Sequence, residues 1–141
     1  MKVLVDTSVW SLALRRSGSR GRGGIEPPPV QELRSLVDEG RVAIIGPIRQ
    51  ELLSGVRTAE SYSRLREHLR PFGDEPLATD DFERAAEHCN TCRARGIQGS
   101  NTDFLICAVA ERRALPILTT DDDFVRFAAA LPISLHGSMR K

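Results

Sequence analysis

The chain of 141 residues is long enough for one compact domain, which we expect to span residues 1–141. Its 40% hydrophobic and 28% charged residues exclude a disordered or fibrous chain, and no apolar run is long enough to cross a bilayer. Three cysteines are too few for a disulfide scaffold, so reduced thiols and a cytoplasmic location are expected. The formal net charge of +1 includes 18 arginines among 20 basic residues, which is compatible with a nucleic-acid-binding surface.

The N-terminal part alternates apolar runs with amphipathic segments. Lys2–Val5 is short, apolar and β-branched, which predicts a strand, and the polar residues after it can cap a helix over Val9–Leu14. The glycines, prolines and arginines of Arg15–Pro29 predict a basic loop. Apolar residues at helical spacing predict a helix over Val30–Glu39, and the run Val42–Ile45 predicts a buried strand.

The same alternation continues to the C-terminus. Helical spacing predicts four further helices, over Pro47–Gly55, Ala59–Leu69, Thr79–Arg95 and Asp103–Arg113, with Thr102 as the cap of the last. A strand at Leu115–Leu118, a short helix from Asp121 to Ala130 and a last strand at Ile133–Leu135 complete the pattern. Strands alternating with helices predict an α/β fold, with three α/β/α layers around a mostly parallel sheet of four to five strands.

Four acidic residues lie near the expected carboxyl ends of these strands, where parallel sheets carry their working sites. Asp6 ends the first strand, Asp121 follows the strand at Leu115–Leu118, Glu51 lies one turn into a helix, and Asp103 begins another. Each alone could be a helix cap or a solvated helix face. Together they would repel one another unless a divalent cation compensates, and oxygen ligands select Mg²⁺, with Mn²⁺ as a possible substitute. Such a site suits phosphodiester hydrolysis.

Four segments resemble those of the PIN-domain ribonucleases, and among them the VapC toxins of type II toxin–antitoxin systems. The segments are Val3–Trp10, Gln50–Val56, Asp103–Ala110 and Leu118–Phe124. The resemblance implies that four acids are catalytic and bind the metal, with a possible fifth metal ligand; these are Asp6, Glu51, Asp103 and Asp121, and then Asp123. It also implies that four hydroxyl residues orient the carboxylates from behind, namely Thr7, Ser8, Thr119 and Thr120.

By the same resemblance, the chain is a Mg²⁺-dependent endoribonuclease that inhibits translation and growth until a VapB-type antitoxin neutralises it. A homodimer is also implied, for which the apolar stripe of the Pro47–Gly55 helix and its neighbour would offer a surface. Seven arginines are candidates for phosphate contacts, or else form a solvated basic face: Arg15, Arg16, Arg20 and Arg22, together with Arg64, Arg66 and Arg70.

Three other classes of protein have comparable features. The serious alternative is a catalytically silent PIN-like module that binds RNA or protein. A phosphoacceptor receiver also clusters acids, but it relies on a lysine late in the fold, and this chain has lysines only at Lys2 and Lys141. A haloacid-dehalogenase-type phosphatase needs a second aspartate where this chain has Ser8.

The pair Cys89 and Cys92 lacks the further ligands of a zinc site, which favours a packing role.

Overall fold

The fold is that of a computed structural model, in which residues 1–18 and 25–137 are described. These residues form three strands and seven helices. In chain order the elements are β1 (Val3–Val5), α1 (Thr7–Gly18), α2 (Pro28–Asp38), β2 (Val42–Ala43), α3 (Gly46–Leu53), α4 (Ala59–Leu69), α5 (Thr79–Ala94), α6 (Asn101–Arg113), β3 (Ile117–Leu118) and α7 (Asp123–Ala130). Over the same two ranges, none of the helices has the length and apolar character that a membrane span requires.

The strands form one parallel sheet in the order β2-β1-β3, which confirms the predicted α/β class. Val3 pairs with Val42 on one side of β1, and Val5 pairs with Leu118 on the other. The chain moves from β1 to β2 in one direction and from β2 past β1 to β3 in the other. Since such crossovers are almost always right-handed, the two connections place their helices on opposite faces of the sheet.

The predicted four to five strands are wrong, because the sheet in the described ranges has three. The segment Ile133–Leu135, predicted as a last strand, makes a one-residue bridge between Leu135 and Ile117. The amide of His136 donates to the carbonyl of Ile117 at 2.7 Å. Gly137 then adopts a positive φ of 81°, which turns the chain away before a second pair of residues can form.

The predicted loop Arg15–Pro29 is too long at both ends. α1 continues to Gly18, since arginine and serine tolerate a helix and the first glycine is the natural stop. α2 begins at Pro28 because a proline in the first helical turn needs no N–H partner. Residues 19–24, the centre of the predicted loop, lie outside the described part of the chain.

The core lies on both sides of β1, whose three residues are completely buried. α6 is the most enclosed helix, with every residue from Phe104 to Ala110 at most 7% exposed. α5 packs against it and contributes Cys92, which is fully buried in agreement with the predicted packing role. α7 completes this side with Phe124 and Phe127, both 0% exposed. The most enclosed helix thus belongs to the same hydrophobic core as β1 and α7.

Candidate active site

Asp6 is held between the ends of two neighbouring strands. It follows β1, is only 4% exposed, and accepts hydrogen bonds at Oδ2 from the hydroxyls of Ser8 (2.8 Å) and Thr119 (2.9 Å). Ser8 belongs to α1, and Thr119 is the first residue after β3. Because β1 and β3 are parallel neighbours, their carboxyl ends bring these hydroxyls together on one oxygen. These two hydrogen bonds therefore fix the direction of the Asp6 carboxylate.

Glu51 reaches the same edge of the sheet through Thr7. The hydroxyl of Thr7, the first residue of α1, donates to Oε1 of Glu51 at 2.8 Å. Glu51 itself lies on the exposed side of α3. Because Thr7 directly follows Asp6 in the chain, this hydrogen bond brings Glu51 to the same end of β1 as Asp6.

Asp103 occupies the third position of α6, in a capping box with Ser100. The amide of Asp103 donates to Oγ of Ser100 at 3.1 Å, and the amide of Ser100 donates to Oδ2 of Asp103 at 3.0 Å. The predicted cap, Thr102, is therefore wrong, because the helix starts at Asn101, two residues earlier than the spacing indicated. Burial raises the pKa of Asp103, and the charges of Asp6 and Asp121 raise it further against the hydrogen bonds from Ser100.

Asp121 lies on the turn between β3 and α7, and Asp123 is the first residue of α7. The amide of Asp121 donates to Oγ1 of Thr119 at 2.9 Å, and the amide of Asp123 donates to Oδ1 of Asp121 at 2.9 Å. Thr120 is exposed and contributes its amide, which donates to Oγ of Ser8 at 3.0 Å. This chain of hydrogen bonds ties the turn to the hydroxyls that hold Asp6.

The five acids offer the oxygen donors that Mg²⁺ and Mn²⁺ prefer. The mutual repulsion that raises the Asp103 pKa involves Asp6 and Asp121, so these three carboxylates share one electrostatic environment. In the described part of the chain, no group of three or more acidic, histidine or cysteine side chains is arranged to hold a metal ion. The donor chemistry therefore fits a divalent cation, whereas a closed ligand cage is not a feature of this structure.

The raised pKa of Asp103 predicts a pH-dependent stability difference between the metal-free wild type and Asp103→Asn. The folded state holds the Asp103 proton more tightly than the unfolded state, so wild-type stability falls as pH rises from the ordinary carboxyl pKa through the raised one. Asparagine stays neutral and can still accept from the Ser100 amide. The unfolding midpoint of the wild type minus that of Asp103→Asn, measured in EDTA, is expected to fall with rising pH. A pH-independent difference would contradict this electrostatic origin.

Arg126 pairs with one of the candidate acids, a contact that the sequence analysis did not predict. Its guanidinium hydrogen-bonds the Asp123 carboxylate from one turn further along α7. An acid followed three residues later by an arginine in a helix is a recognised pairing, so the spacing carried the signal.

The candidate phosphate-binding arginines lie at separate places in the fold. Arg15 is exposed on α1, while the side chain of Arg16 and the whole of Arg20 and Arg22 fall outside the described residues. Arg64 and Arg66 lie on α4, and Arg70 is its C-cap. Arg64 donates to Ser61 of the same helix, and the guanidinium of Arg66 lies 5.7 Å from the ring centre of Tyr62. Both of these α4 arginines therefore make local contacts within their own helix.

A second cluster of buried polar groups joins α5 to α6 and lies apart from the acids above. Asp81 is fully buried; burial opposes its ionisation, but the Ala78 amide and Arg112 outweigh burial and hold its pKa below the ordinary value. Nε2 of His88, which is 2% exposed, lies 2.8 Å from Oε1 of Glu111. These partners are 31 and 23 residues apart, so no local pattern could have indicated them. Every charge in this cluster has an opposite partner, which is typical of a structural network.

Comparison with known proteins identifies the family to which the chain belongs. The family model of the PIN domain matches residues 3–130. A search among curated proteins gives no match.

Three solved structures with high similarity share the fold over nearly their whole length. VapBC2 from Rickettsia felis, bound to a DNA fragment from its promoter, superposes with a TM-score of 0.73 at 18% identity and covers 96% of this chain and 97% of its own. FitAcB from Neisseria gonorrhoeae has a TM-score of 0.70 at 22% identity, with 94% and 95% covered. VapBC-5 from Mycobacterium tuberculosis, a member of the VapBC family of toxin–antitoxin systems, has a TM-score of 0.63 at 24% identity, with 95% and 96% covered. With the family model matched over residues 3–130, the chain belongs to the PIN domain family.

Proposed function

We propose that the chain is a Mg²⁺-dependent endoribonuclease and the toxin of a toxin–antitoxin pair. The observation that carries the proposal is the set of hydrogen bonds at the carboxyl ends of β1 and β3. There Ser8 and Thr119 hold Asp6, Thr119 accepts from the amide of Asp121, and Thr7 donates to Glu51. Membership of the PIN family supports a nuclease, and the similar folds of the VapBC and FitAcB complexes support a toxin.

In this proposal the metal ligands are Asp6, Glu51, Asp103 and Asp121, with Asp123 as a possible fifth. A bound divalent cation supplies activation of water and neutralisation of charge on the phosphodiester. The role of the chain is to orient the ligands: Ser8 and Thr119 fix Oδ2 of Asp6, which leaves Oδ1 to bind the cation. Carboxylates are needed here because they are the ligands of the metal, and hydrogen bonds from the surrounding hydroxyls and amides orient them.

The substrate class is tested by comparing RNA with DNA. Purified chain is incubated with total cellular RNA, and separately with single-stranded DNA of similar length, in Mg²⁺, Mn²⁺ or EDTA. Discrete RNA fragments with either metal and intact RNA in EDTA are the expected result. Equal cutting of DNA would contradict the assignment to RNA. If neither nucleic acid is cut, the catalytically silent binding module is the correct interpretation.

The partner we propose is a VapB-type antitoxin that covers the acidic site. The similar solved structures include complexes named as toxin–antitoxin assemblies, which supports a protein partner of this kind. An exposed Glu51 and partly exposed Asp103 and Asp121 leave negative charge accessible at the sheet edge. A basic side chain of the antitoxin would complement this charge and block access to the acids.

For the implied homodimer, most of the apolar stripe that the sequence suggested packs within the same chain. Ile48 and Leu52 are 0% and 8% exposed, and Leu53 is partly buried against the same core. A groove of about 400 Å³ between α5 and the start of α6 is open instead, and Phe82 on its wall is 54% exposed. Pro47 and Leu105 add further apolar surface to this groove. We therefore propose that a second copy of the chain packs against this groove and contacts Phe82.

Phe82→Glu is expected to shift the dimer to a monomer, because a charge would be buried at the centre of the interface. The fold should persist, since the side chain is largely exposed in one chain. Sedimentation equilibrium over a range of concentrations measures the mass. Tyr62→Glu, on the 38% exposed Tyr62 of α4, is the control and should stay dimeric. An unchanged dimer in Phe82→Glu, or a wild type that is monomeric throughout, would refute this interface.

A further inference from the structure

Arg126 places a positive charge at the rim of an otherwise acidic site. Its guanidinium contacts Oδ1 of Asp123, and the amide of Asp123 donates to Oδ1 of Asp121 at 2.9 Å. The Arg126 side chain is 57% exposed, so the ion pair is open to solvent. The guanidinium therefore contacts the possible fifth metal ligand, Asp123, whose amide is bonded to Asp121, and it is still accessible to solvent.

The surroundings of the other candidate acids make this charge distinctive. The structure describes the side chains of residues 1–15 and 25–137. Among these, the hydrogen bonds of Asp6, Glu51, Asp103 and Asp121 come from hydroxyls and backbone amides. Among the same side chains, Arg126 is the cationic one in contact with one of the five acids. A polyanionic substrate approaching such a site meets net repulsion, which a cation at the rim would reduce.

The helix that carries Arg126 is firmly anchored. Phe124 and Phe127 lie on either side of Val125 and Arg126 in this helix. Both rings are 0% exposed, and they meet edge to face with ring centres 5.0 Å apart. Val125 and Arg126 point to the opposite, exposed side of α7. The position of the Arg126 backbone relative to the acidic turn is thus set by core packing, which is the condition for a precise binding contact.

We propose that Arg126 binds a phosphate of the substrate chain beside the scissile bond and exchanges its contact with Asp123 for that phosphate when substrate binds. The proposal rests on the nuclease function proposed above and deepens it. A guanidinium can form two parallel hydrogen bonds with a phosphate, and an exposed ion pair with a carboxylate is weak enough to be exchanged. Arg126 would then position the substrate, while the acids remain the catalytic groups.

The kinetic test compares Arg126→Gln with a matched arginine at the other end of the sheet. Arg41 also pairs with a nearby acid, Glu39, at 2.9 Å, and it precedes β2 at the edge opposite to Asp6. For Arg126→Gln we expect KM for a single-stranded RNA to rise about 5- to 10-fold, with kcat changed less than about twofold, as for loss of one phosphate contact. Arg41→Gln should match the wild type. Equal KM values for Arg126→Gln and wild type would overturn the proposal.

Salt dependence separates a phosphate contact from a merely structural role. In the non-cleaving Asp6→Asn background with Mg²⁺, a fluorescent RNA oligonucleotide is titrated at several salt concentrations. Losing one phosphate contact should reduce the slope of log K against log salt by about 0.7, and Arg126→Lys should restore that slope. An unchanged slope in Arg126→Gln overturns the proposal.

Failure of the proposed nuclease function would look different. In that case the wild type leaves RNA intact with every metal, while the titration still decides whether Arg126 contacts phosphate. If the wild type cleaves RNA and Arg126→Gln behaves identically in both measurements, the role of Arg126 alone is wrong. The unfolding midpoint of Arg126→Gln should stay near the wild-type value, because an exposed ion pair contributes little stability.

Discussion

Asp6→Asn is expected to lower the rate of RNA cleavage at least about 100-fold, equal to roughly 2.7 kcal/mol of activation free energy. The substitution is nearly isosteric, and the new amide oxygen can still accept the hydrogen bonds of Ser8 and Thr119. What is lost is the negative charge and the second oxygen that would bind a cation. Steady-state cleavage of a defined RNA in Mg²⁺ measures the effect.

The same substitution should leave the metal-free protein as stable as the wild type or slightly more stable. The charge of Asp6 contributes to the raised pKa of Asp103, so removing it relieves repulsion. Asp122→Asn is the matched control, because Asp122 lies next to Asp121 on the turn after β3, is exposed, and caps no helix through its side chain. Full activity in Asp6→Asn, or an equal loss in Asp122→Asn, would contradict the proposed role of Asp6.

Phe127→Ala is expected to destabilise the fold by about 3–5 kcal/mol, because it removes a buried ring and leaves a cavity. Phe127 is 0% exposed and packs on Phe104 and Phe124, with ring centres 5.1 and 5.0 Å away. The backbone approaches the ring as well: a methyl group placed on Gly99 would lie 2.6 Å from its Cζ atom. Thermal unfolding should show a fall in the midpoint of about 10 °C or more.

The Phe127 cluster also has a consequence for the site. Phe104 follows Asp103, and Phe124 follows Asp123, so the three rings connect the start of α6 to the acidic turn. Phe127→Ala should therefore reduce cleavage even below its unfolding temperature. Val125→Ala, at a residue 60% exposed on the same helix, should change stability by less than about 0.5 kcal/mol. Similar midpoints for the two variants would refute the anchoring role of Phe127.

The sequence was sufficient for the features that depend on local pattern. The buried run at β1 and the apolar run ending at Leu118 predicted strands, and their alternation with helices predicted that the residues after them would lie at one edge of a parallel sheet. Thr119, which follows β3, donates to Asp6, which follows β1, at 2.9 Å. This success has a simple cause, because parallel neighbouring strands present their carboxyl ends at one edge.

The features that the sequence missed depend on contacts between distant segments. The edge segment ending at Leu135 has a strand-like sequence, but it pairs with Ile117 through a single bridge because Gly137 then turns the chain away. The start of α6 was misplaced because Ser100 and Thr102 are equally good caps, and the reciprocal hydrogen bond with Asp103 decides between them.

The most direct test of the central claim follows metal binding and cleavage in the same preparation. Mg²⁺ or Mn²⁺ is titrated into the wild type and into Asp6→Asn, and both the unfolding midpoint and the rate of RNA cleavage are recorded. For the wild type we predict that the midpoint and the cleavage rate rise together with metal and return to baseline in EDTA, because the ion binds only the folded state. Asp6→Asn should show neither response. Cleavage of RNA that persists unchanged in EDTA or in Asp6→Asn would contradict a metal-dependent site built on these acids.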